Sequence, residues 1–236
     1  VILILDCDNT LYPASANVME VNDVRIQRYI REVMGFPPEV AEEKRLGYLR
    51  QYGTTLGGLM AEEQVDPEEF LAYVHNYELD GRVAFNPALA QFLRELDLPR
   101  VILTSACEAH ARKVTAALGI TECFEHIYDL KAVDYRGKPE RYAYERVLRD
   151  YPGEKAVFVD DRMLNLPPAK DLGIINVWVN EGWLPARGEV TPALSVFYEE
   201  AKRLQERAGE FADFTIQRVE QLADLWPQVQ AKAAGR

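Results

Sequence analysis

Two carboxylates separated by one residue, Asp6 and Asp8, follow directly on the apolar run Val1-Ile2-Leu3-Ile4-Leu5. Such a run reads as a buried strand, and in an extended chain positions i and i+2 share a face at roughly 6.6 to 7 Å. Both side chains can then reach one substrate group or one cation, with Cys7 facing the other way. A pair of this kind suits phosphoryl transfer, in which one carboxylate attacks phosphorus and its neighbour handles the leaving group's proton. The plain alternative is a strand followed by Asp/Asn/Thr turn chemistry. Three further groups bear on the choice. Thr104 ends the run Arg100-Val101-Ile102-Leu103, and its hydroxyl with the N–H groups after it, from Ser105 on, forms a candidate phosphate cradle. Its plain reading is a helix N-cap. Lys138, in Tyr135-Arg136-Gly137-Lys138-Pro139, could meet both a nucleophilic carboxylate and a phosphate oxygen, although an isolated lysine is ordinarily a solvated surface group. Asp160-Asp161 closes a second buried run and would complete an oxygen-rich site for Mg²⁺, with helix capping as the alternative.

The elements that must position these groups are legible as pattern. Apolar runs at 100–104, 156–160 and 174–179, and more weakly 211–216, read as buried strands. Helical patterns lie between them over 108–118, 139–149 and 167–172, punctuated by Gly119, Pro139 and Gly173. Strand and helix in alternation imply a parallel sheet covered on both faces, with ligands outside the carboxyl ends of the strands. Asp6, Thr104 and Asp160 all fall there. From Tyr12 to about Phe85 the apolar spacing is helical, through Val18, Val21, Val24, Ile26, Tyr29 and Ile30 and later Phe70, Leu71, Val74 and Tyr77. A helical block inserted after the first strand would sit as a cap over the strand ends. The expected division is a core of 1–12 and 86–236 and a cap of 13–85, with a turn at Asn86-Pro87 and a further helix over about 191–207.

Composition narrows the partners. With 236 residues, 48% hydrophobic and 28% charged, the chain can bury one good core and a second small one. A net charge of -11 argues against a nucleic-acid polymer or an anionic membrane surface. A small phosphate ester needs only local positive charge. Cys7, Cys107 and Cys123 make no Cys-x-x-Cys pair, and His75, His110 and His126 are widely spaced, so neither set reads as a zinc site. No apolar run approaches the ~20 residues of a membrane span. A cytoplasmic monomer or homodimer is the default expectation.

Taken in order, Asp6-Cys7-Asp8-Asn9-Thr10-Leu11-Tyr12, Ile102-Leu103-Thr104-Ser105, Gly137-Lys138-Pro139-Glu140 and Phe158-Val159-Asp160-Asp161-Arg162-Met163-Leu164-Asn165 resemble the four motifs of the haloacid dehalogenase-like hydrolases, in their phosphatase branch. The resemblance reaches to about Val179. It implies an α/β fold, a Rossmann-like doubly wound parallel sheet with an inserted all-helical cap. It implies Asp6 as nucleophile, Asp8 as general acid and then base, Asn9, Thr104, Ser105 and Lys138 as phosphate binders, with Thr104 and Lys138 also counted in the catalytic set. Mg²⁺ would be held by Asp6, the Asp8 carbonyl, Asp160 and, directly or through water, Asp161. For Asp8 a raised pKa during catalysis is expected, since a general acid works best near the operating pH. Dehalogenases of this fold lack the second aspartate, because a halide leaves without a proton, so Asp8 favours a phosphatase. Two departures stand out: Thr104-Ser105 where Thr-Asn is common, and Pro167-Pro168 after Asn165.

For the substrate, the opening motif with Tyr48-Leu49-Arg50-Gln51-Tyr52-Gly53-Thr54-Thr55 resembles the pyrimidine 5'-nucleotidase subgroup. Tyr48, Tyr52, Thr54 and Thr55 could stack on and hydrogen-bond a base or sugar; a helix end at Gly53 with a new helix capped by Thr54 or Thr55 explains the same residues without a ligand. Sugar phosphates and phosphoglycolate are the alternative substrates, and phosphotransfer to an alcohol or ligand binding without turnover the alternative activities. His110 reads as structural or surface, Cys107 as no nucleophile because no Arg-rich phosphate loop follows, and Trp183 as a packing aromatic.

Overall fold

Ile2–Leu5 form strand β1, and all four side chains are fully buried because neighbouring strands flank β1 on both edges and helices cover both faces. That is why the run is continuously apolar rather than alternating. Each such side chain contributes about 1.5–3 kcal/mol by leaving water. The computed structural model describes residues 1–181 and 192–235. Its sheet has six parallel strands in the order β3-β2-β1-β4-β5-β6, where β2 is Arg100–Leu103, β3 His126–Tyr128, β4 Ala156–Asp160, β5 Ile175–Val179 and β6 Phe214–Ile216. The fold is the α/β architecture expected. Strand β3, three residues at the sheet edge, has too short a run to be read from sequence.

Between β1 and β2 the chain is helical: α1 Val18–Arg28, α2 Pro38–Tyr52, α3 Thr55–Glu63, α4 Pro67–His75 and, leading into β2, α5 Pro87–Glu95. Pro67 and Pro87 sit in first turns, where a missing N–H is harmless, and Asp66 and Asn86 cap them through side-chain oxygens that accept from Glu68 N and Leu89 N. The remaining helices are α6 Glu108–Leu118, α7 Arg141–Asp150, α8 Leu166–Asp171, α9 Pro192–Glu206, α10 Ala208–Phe211 and α11 Leu222–Ala233.

Helices α5, α6 and α11 cover one sheet face, packing Leu89, Val114 and Trp226 onto Leu3, Ile102 and Val157. On the other, α7 and α8 bring Tyr144, Val147 and Leu166 against Ile4 and Phe158, joined by Leu204 and Phe211 of α9 and α10. A third cluster belongs to the segment between β1 and α5: Tyr29, Ile30, Tyr48, Leu59, Phe70 and Val74 pack together and close on Leu130, with Cys107 and Tyr135 alongside. Helix α9 touches both α2 and the turn Met163–Asn165. Trp183, and Thr191 at the entry of α9, lie outside the described residues. Among the described residues no helix is long and apolar enough to cross a membrane.

Candidate active site

The strand order reverses direction at β1, whose neighbours are β2 on one side and β4 on the other, and the crevice outside their carboxyl ends is where such sheets gather ligands. Leu5 pairs with Val159, and Asp6 N donates to Val159 O at 2.9 Å, so Asp6 and Asp160 leave the sheet side by side. The strand ends at Leu5. The chain then turns sharply, with Leu11 N donating to Cys7 O at 2.9 Å and Asn9 in the left-handed region at φ 60. Extended spacing therefore does not govern Asp8. The same turn folds Thr10 back onto the strand end: its Oγ1 donates to Asp6 Oδ2 (2.9 Å) or Asp161 Oδ1 (3.3 Å) and accepts from Asp161 N at 3.0 Å.

Lys138 arrives on the loop between β3 and α7. Gly137 lets that loop come close, since a Cβ there would stand 2.6 Å from Leu130 Cδ2 and 3.7 Å from Ser105 Oγ. The Lys138 ammonium donates to Asp6 Oδ1 at 2.6 Å and Asp160 Oδ2 at 2.7 Å, and is buried. Burial alone would lower its pKa, but the Asp160 and Asp6 carboxylates outweigh that and keep it charged. Asp160 is further held by Arg162 N (2.7 Å) and by Asn165 Nδ2, 2.9 Å from both of its oxygens.

Asp6, Asp160 and Asp161 each offer one oxygen within 4.8 Å of the others, all three buried. Among the described residues, the one ammonium standing against these three carboxylates is that of Lys138. Burial pushes Asp6 up to about 6, with Asp160 and Asp8 adding and Lys138 opposing. The same burial, with Asp160 and Asp6 beside it, drives Asp161 well above the ordinary carboxylate range. An all-oxygen, charge-rich donor set of this kind fits a small hard cation such as Mg²⁺.

Asp8 faces a different set of partners. Its Oδ1 takes hydrogen bonds from His110 Nε2 at 2.7 Å and Tyr12 OH at 2.5 Å. Burial raises its pKa, yet the attraction and hydrogen bond of His110, with the Tyr12 hydroxyl, more than offset this and hold it below the ordinary range. These two donors have no signature in the sequence, and the rise expected during catalysis has to overcome them. His110, read as structural or surface, is 1% exposed and is bonded to the carboxylate itself. His75 stacks on it at 4.7 Å, and Cys107 Sγ lies 3.3 Å from His75 Nδ1. Helix α6 carries His110, with Cys107 at its N-cap, and α4 carries His75, so histidines far apart in the chain meet in space.

Thr104 is buried at the end of β2, with its Oγ1 accepting from Ala106 N at 3.0 Å, and Ser105 is exposed beside Gly137. Asn9 has a buried Oδ1 with no hydrogen-bond partner among the described residues. The four helical-segment residues do not join the carboxylates through any described contact. Tyr48 is buried in the third cluster with its hydroxyl donating to Glu63 Oε1 at 2.8 Å, and Thr54 caps α3 by accepting from Gly57 N at 2.9 Å. Thr55 is buried in the first turn of α3, and the Tyr52 hydroxyl accepts from Gln51 Nε2 at 3.0 Å. Thr10, Tyr12, His110 and Asn165 are the residues that sequence reasoning gave no role. Thr10, Tyr12 and Asn165 lie within the motifs, whereas for His110 only its place six residues after Thr104 offered a signal.

Comparison with known proteins gives concordant matches. The family model described as haloacid dehalogenase-like hydrolase matches residues 2–173. A curated relative, phosphate metabolism protein 8 of Saccharomyces cerevisiae, is 24% identical over 199 residues, covering 75% of this chain. The matched stretch spans 60% of that relative's length. Among solved structures, an HAD phosphatase from Thermococcus onnurineus is similar with TM-score 0.57 and 17% identity, covering 95% of this chain and 96% of the other. The L-2-haloacid dehalogenase of Xanthobacter autotrophicus is similar with TM-score 0.52 and 19% identity over 96% and 98% of the two chains. The Bacillus subtilis HAD-hydrolase YfnB bound to magnesium has TM-score 0.50 and 14% identity over 95% and 97%.

Proposed function

The chain belongs to the haloacid dehalogenase-like hydrolases, and from that premise we propose that it hydrolyses a small phosphate monoester through an aspartyl-phosphate formed on Asp6. The observation that carries the choice of phosphatase over dehalogenase is Asp8, a second carboxylate beside the first that is gripped on one oxygen by His110 and Tyr12. Displacement of a halide has no use for a proton donor held in this way; departure of an alkoxide does.

Asp6 attacks phosphorus as the carboxylate, with Lys138 between it and Asp160 to offset the charge of an anionic ester. Asp8 gives its proton to the leaving oxygen and then takes one from the water that hydrolyses the intermediate. The phosphate itself supplies the negative charge that raises Asp8 at the moment of need. Thr104, Ser105 and Asn9 are the remaining phosphate contacts, each with a hydroxyl or amide hydrogen to donate, and Thr104 Oγ1, which accepts from Ala106 N, keeps its own hydrogen for that purpose. Asp6, Asp160 and Asp161, with the Asp8 carbonyl, would hold Mg²⁺. When bound, the cation neutralises phosphate charge and orients the ester for in-line attack. Residues 13–85 serve as a cap and 1–12 with 86–236 as the core, a division supported by the separate hydrophobic cluster that the helical segment makes and closes against Leu130. A pyrimidine nucleoside 5'-monophosphate is the substrate to test first. Its support is the resemblance of the segment around Tyr48 to Thr55 to the pyrimidine 5'-nucleotidase subgroup.

Phosphate release from UMP, CMP, AMP, phosphoglycolate, sugar phosphates and p-nitrophenyl phosphate, with Mg²⁺ or with chelator, tests the reading. Mg²⁺-dependent release that disappears in Asp6→Asn is expected. Release that survives this substitution, or none from any ester, would sink it.

A further inference from the structure

Asp8 is held from one side only. His110 Nε2 and the Tyr12 hydroxyl converge on the same oxygen, Oδ1, at 2.7 and 2.5 Å, while Oδ2 takes no hydrogen bond from the described residues. A carboxylate only accepts, so His110 presents its Nε2–H to it. The His110 ring is itself braced. His75 lies against it at 4.7 Å with 31° between the planes, and the Tyr77 ring stands 6.2 Å away. Lys113 Nζ, one turn along α6 from His110, donates to the carbonyls of His75 (2.9 Å) and Tyr77 (2.8 Å) and pins that segment to the helix. The Tyr77 hydroxyl in turn donates to Asn22 of α1 at 2.7 Å. A side chain braced by the rings of His75 and Tyr77 and aimed at one oxygen is a device for orientation.

We propose that His110 and Tyr12 are positioning residues that hold Asp8 by Oδ1 so that Oδ2 alone exchanges protons with the substrate. The inference rests on the phosphatase reading. In the first half-reaction an Asp6 oxygen bonds phosphorus while the bond to the ester oxygen breaks. The electron pair stays on that oxygen, which takes the proton from Asp8 Oδ2. In the second half-reaction a water oxygen bonds phosphorus and the Asp6–phosphorus bond breaks; Oδ2 takes the water's proton. Freed from His110, Asp8 would turn about its side-chain bonds and offer either oxygen in many orientations. Proton transfer would suffer and attack on phosphorus would not.

The leaving group separates those two effects. p-Nitrophenolate departs without a proton, whereas an alkyl oxygen such as the 5'-oxygen of UMP needs one. The test compares kcat on p-nitrophenyl phosphate with kcat on the best alkyl ester for the wild type, His110→Ala, His110→Gln and Tyr12→Phe. His110→Ala is expected to lower kcat on the alkyl ester by about 100-fold, the lower end for loss of acid-base catalysis, and on p-nitrophenyl phosphate only a few-fold. His110→Gln keeps an N–H near the place of Nε2 and should recover most of the loss. Tyr12→Phe removes one oxygen and should show the same split, smaller, even where His110→Ala folds poorly. Equal losses on both esters in Tyr12→Phe and His110→Gln, or no loss in any variant, overturn the inference and leave the phosphatase reading standing. A wild type that hydrolyses neither ester overturns both.

Discussion

Three buried carboxylates share one ammonium at the ends of β1 and β4, and this imbalance sets how single residues respond to pH. Asp6 is raised from 3.8 to about 6, chiefly by burial, and Asp161 well above 3.8 by burial with Asp160 and Asp6 adding. A carboxyl raised in the fold gives stability that is full below its unfolded value and is lost as pH rises through its folded one. His75 has the opposite sense, lowered from 6.5 to about 3 by burial and then by His110, so its contribution is present above 6.5 and lost as pH falls toward 3. The slopes oppose one another, and substitution separates them. In chelator, Asp161→Asn should gain stability over the wild type progressively as pH rises above 3.8, and His75→Gln should gain as pH falls below 6.5. Urea unfolding across pH measures both, and a difference that stays constant with pH would refute the corresponding assignment. Lys138→Met leaves Asp6 and Asp160 without their cation. Turnover should fall by about 10²–10³-fold, and the loss of a buried partner should lower stability at neutral pH by about 3–5 kcal/mol; a loss within 1 kcal/mol would show that Lys138 is not what offsets these charges. At this scale Asp6, Lys138 and Asp160 were legible because an abrupt carboxylate after an apolar run is unusual and the motif order is specific. His110 was not, since it meets Asp8 across 102 residues and a histidine on an amphipathic helix carries no mark of its partner.

Helices α2 and α3 approach closely because Gly58 has no side chain. A Cβ there would stand 2.2 Å from Tyr48 Cγ, a ring already fixed by its bond to Glu63. Gly58→Ala should therefore force the two helices apart and destabilise by about 1–3 kcal/mol, as overpacking does. Thermal unfolding reports it, and a variant as stable as the wild type would mean that Tyr48 swings clear. The same contact shows why Tyr48 was read as a candidate base platform: residue type and helical position are identical for a pocket wall and a helix-helix contact, and only the partner tells them apart. Strands β1, β2, β4 and β5 were legible as continuous apolar runs for the physical reason that both of their faces are buried. Strand β3 was not, because three residues at a sheet edge, His126 exposed among them, carry no run. Helix α11 is not legible either, its pattern interrupted by Pro227.

For the molecule as a whole, binding of a divalent cation to the carboxylate cluster should act on global stability. Any ligand that binds only the folded state stabilises it, by about 2.7 kcal/mol at 100 times its Kd. Near neutral pH, Mg²⁺ should raise the unfolding temperature of the wild type and leave Asp160→Asn unmoved; an unmoved wild type would argue that Lys138 alone satisfies the cluster. The strand order has a consequence on another timescale. β1 is the earliest strand in the chain but lies in the middle of the sheet, and its partner β4 begins only at Ala156. On a ribosome adding about 5–20 residues per second, the roughly 150 intervening residues delay that pairing by about 8–30 s. For that interval the nascent chain carries a fully apolar strand with at least one open edge, the part of this protein with the greatest need of a chaperone. A nonsense codon anywhere before β4 would leave a polypeptide that holds Asp6 without Asp160 beside it.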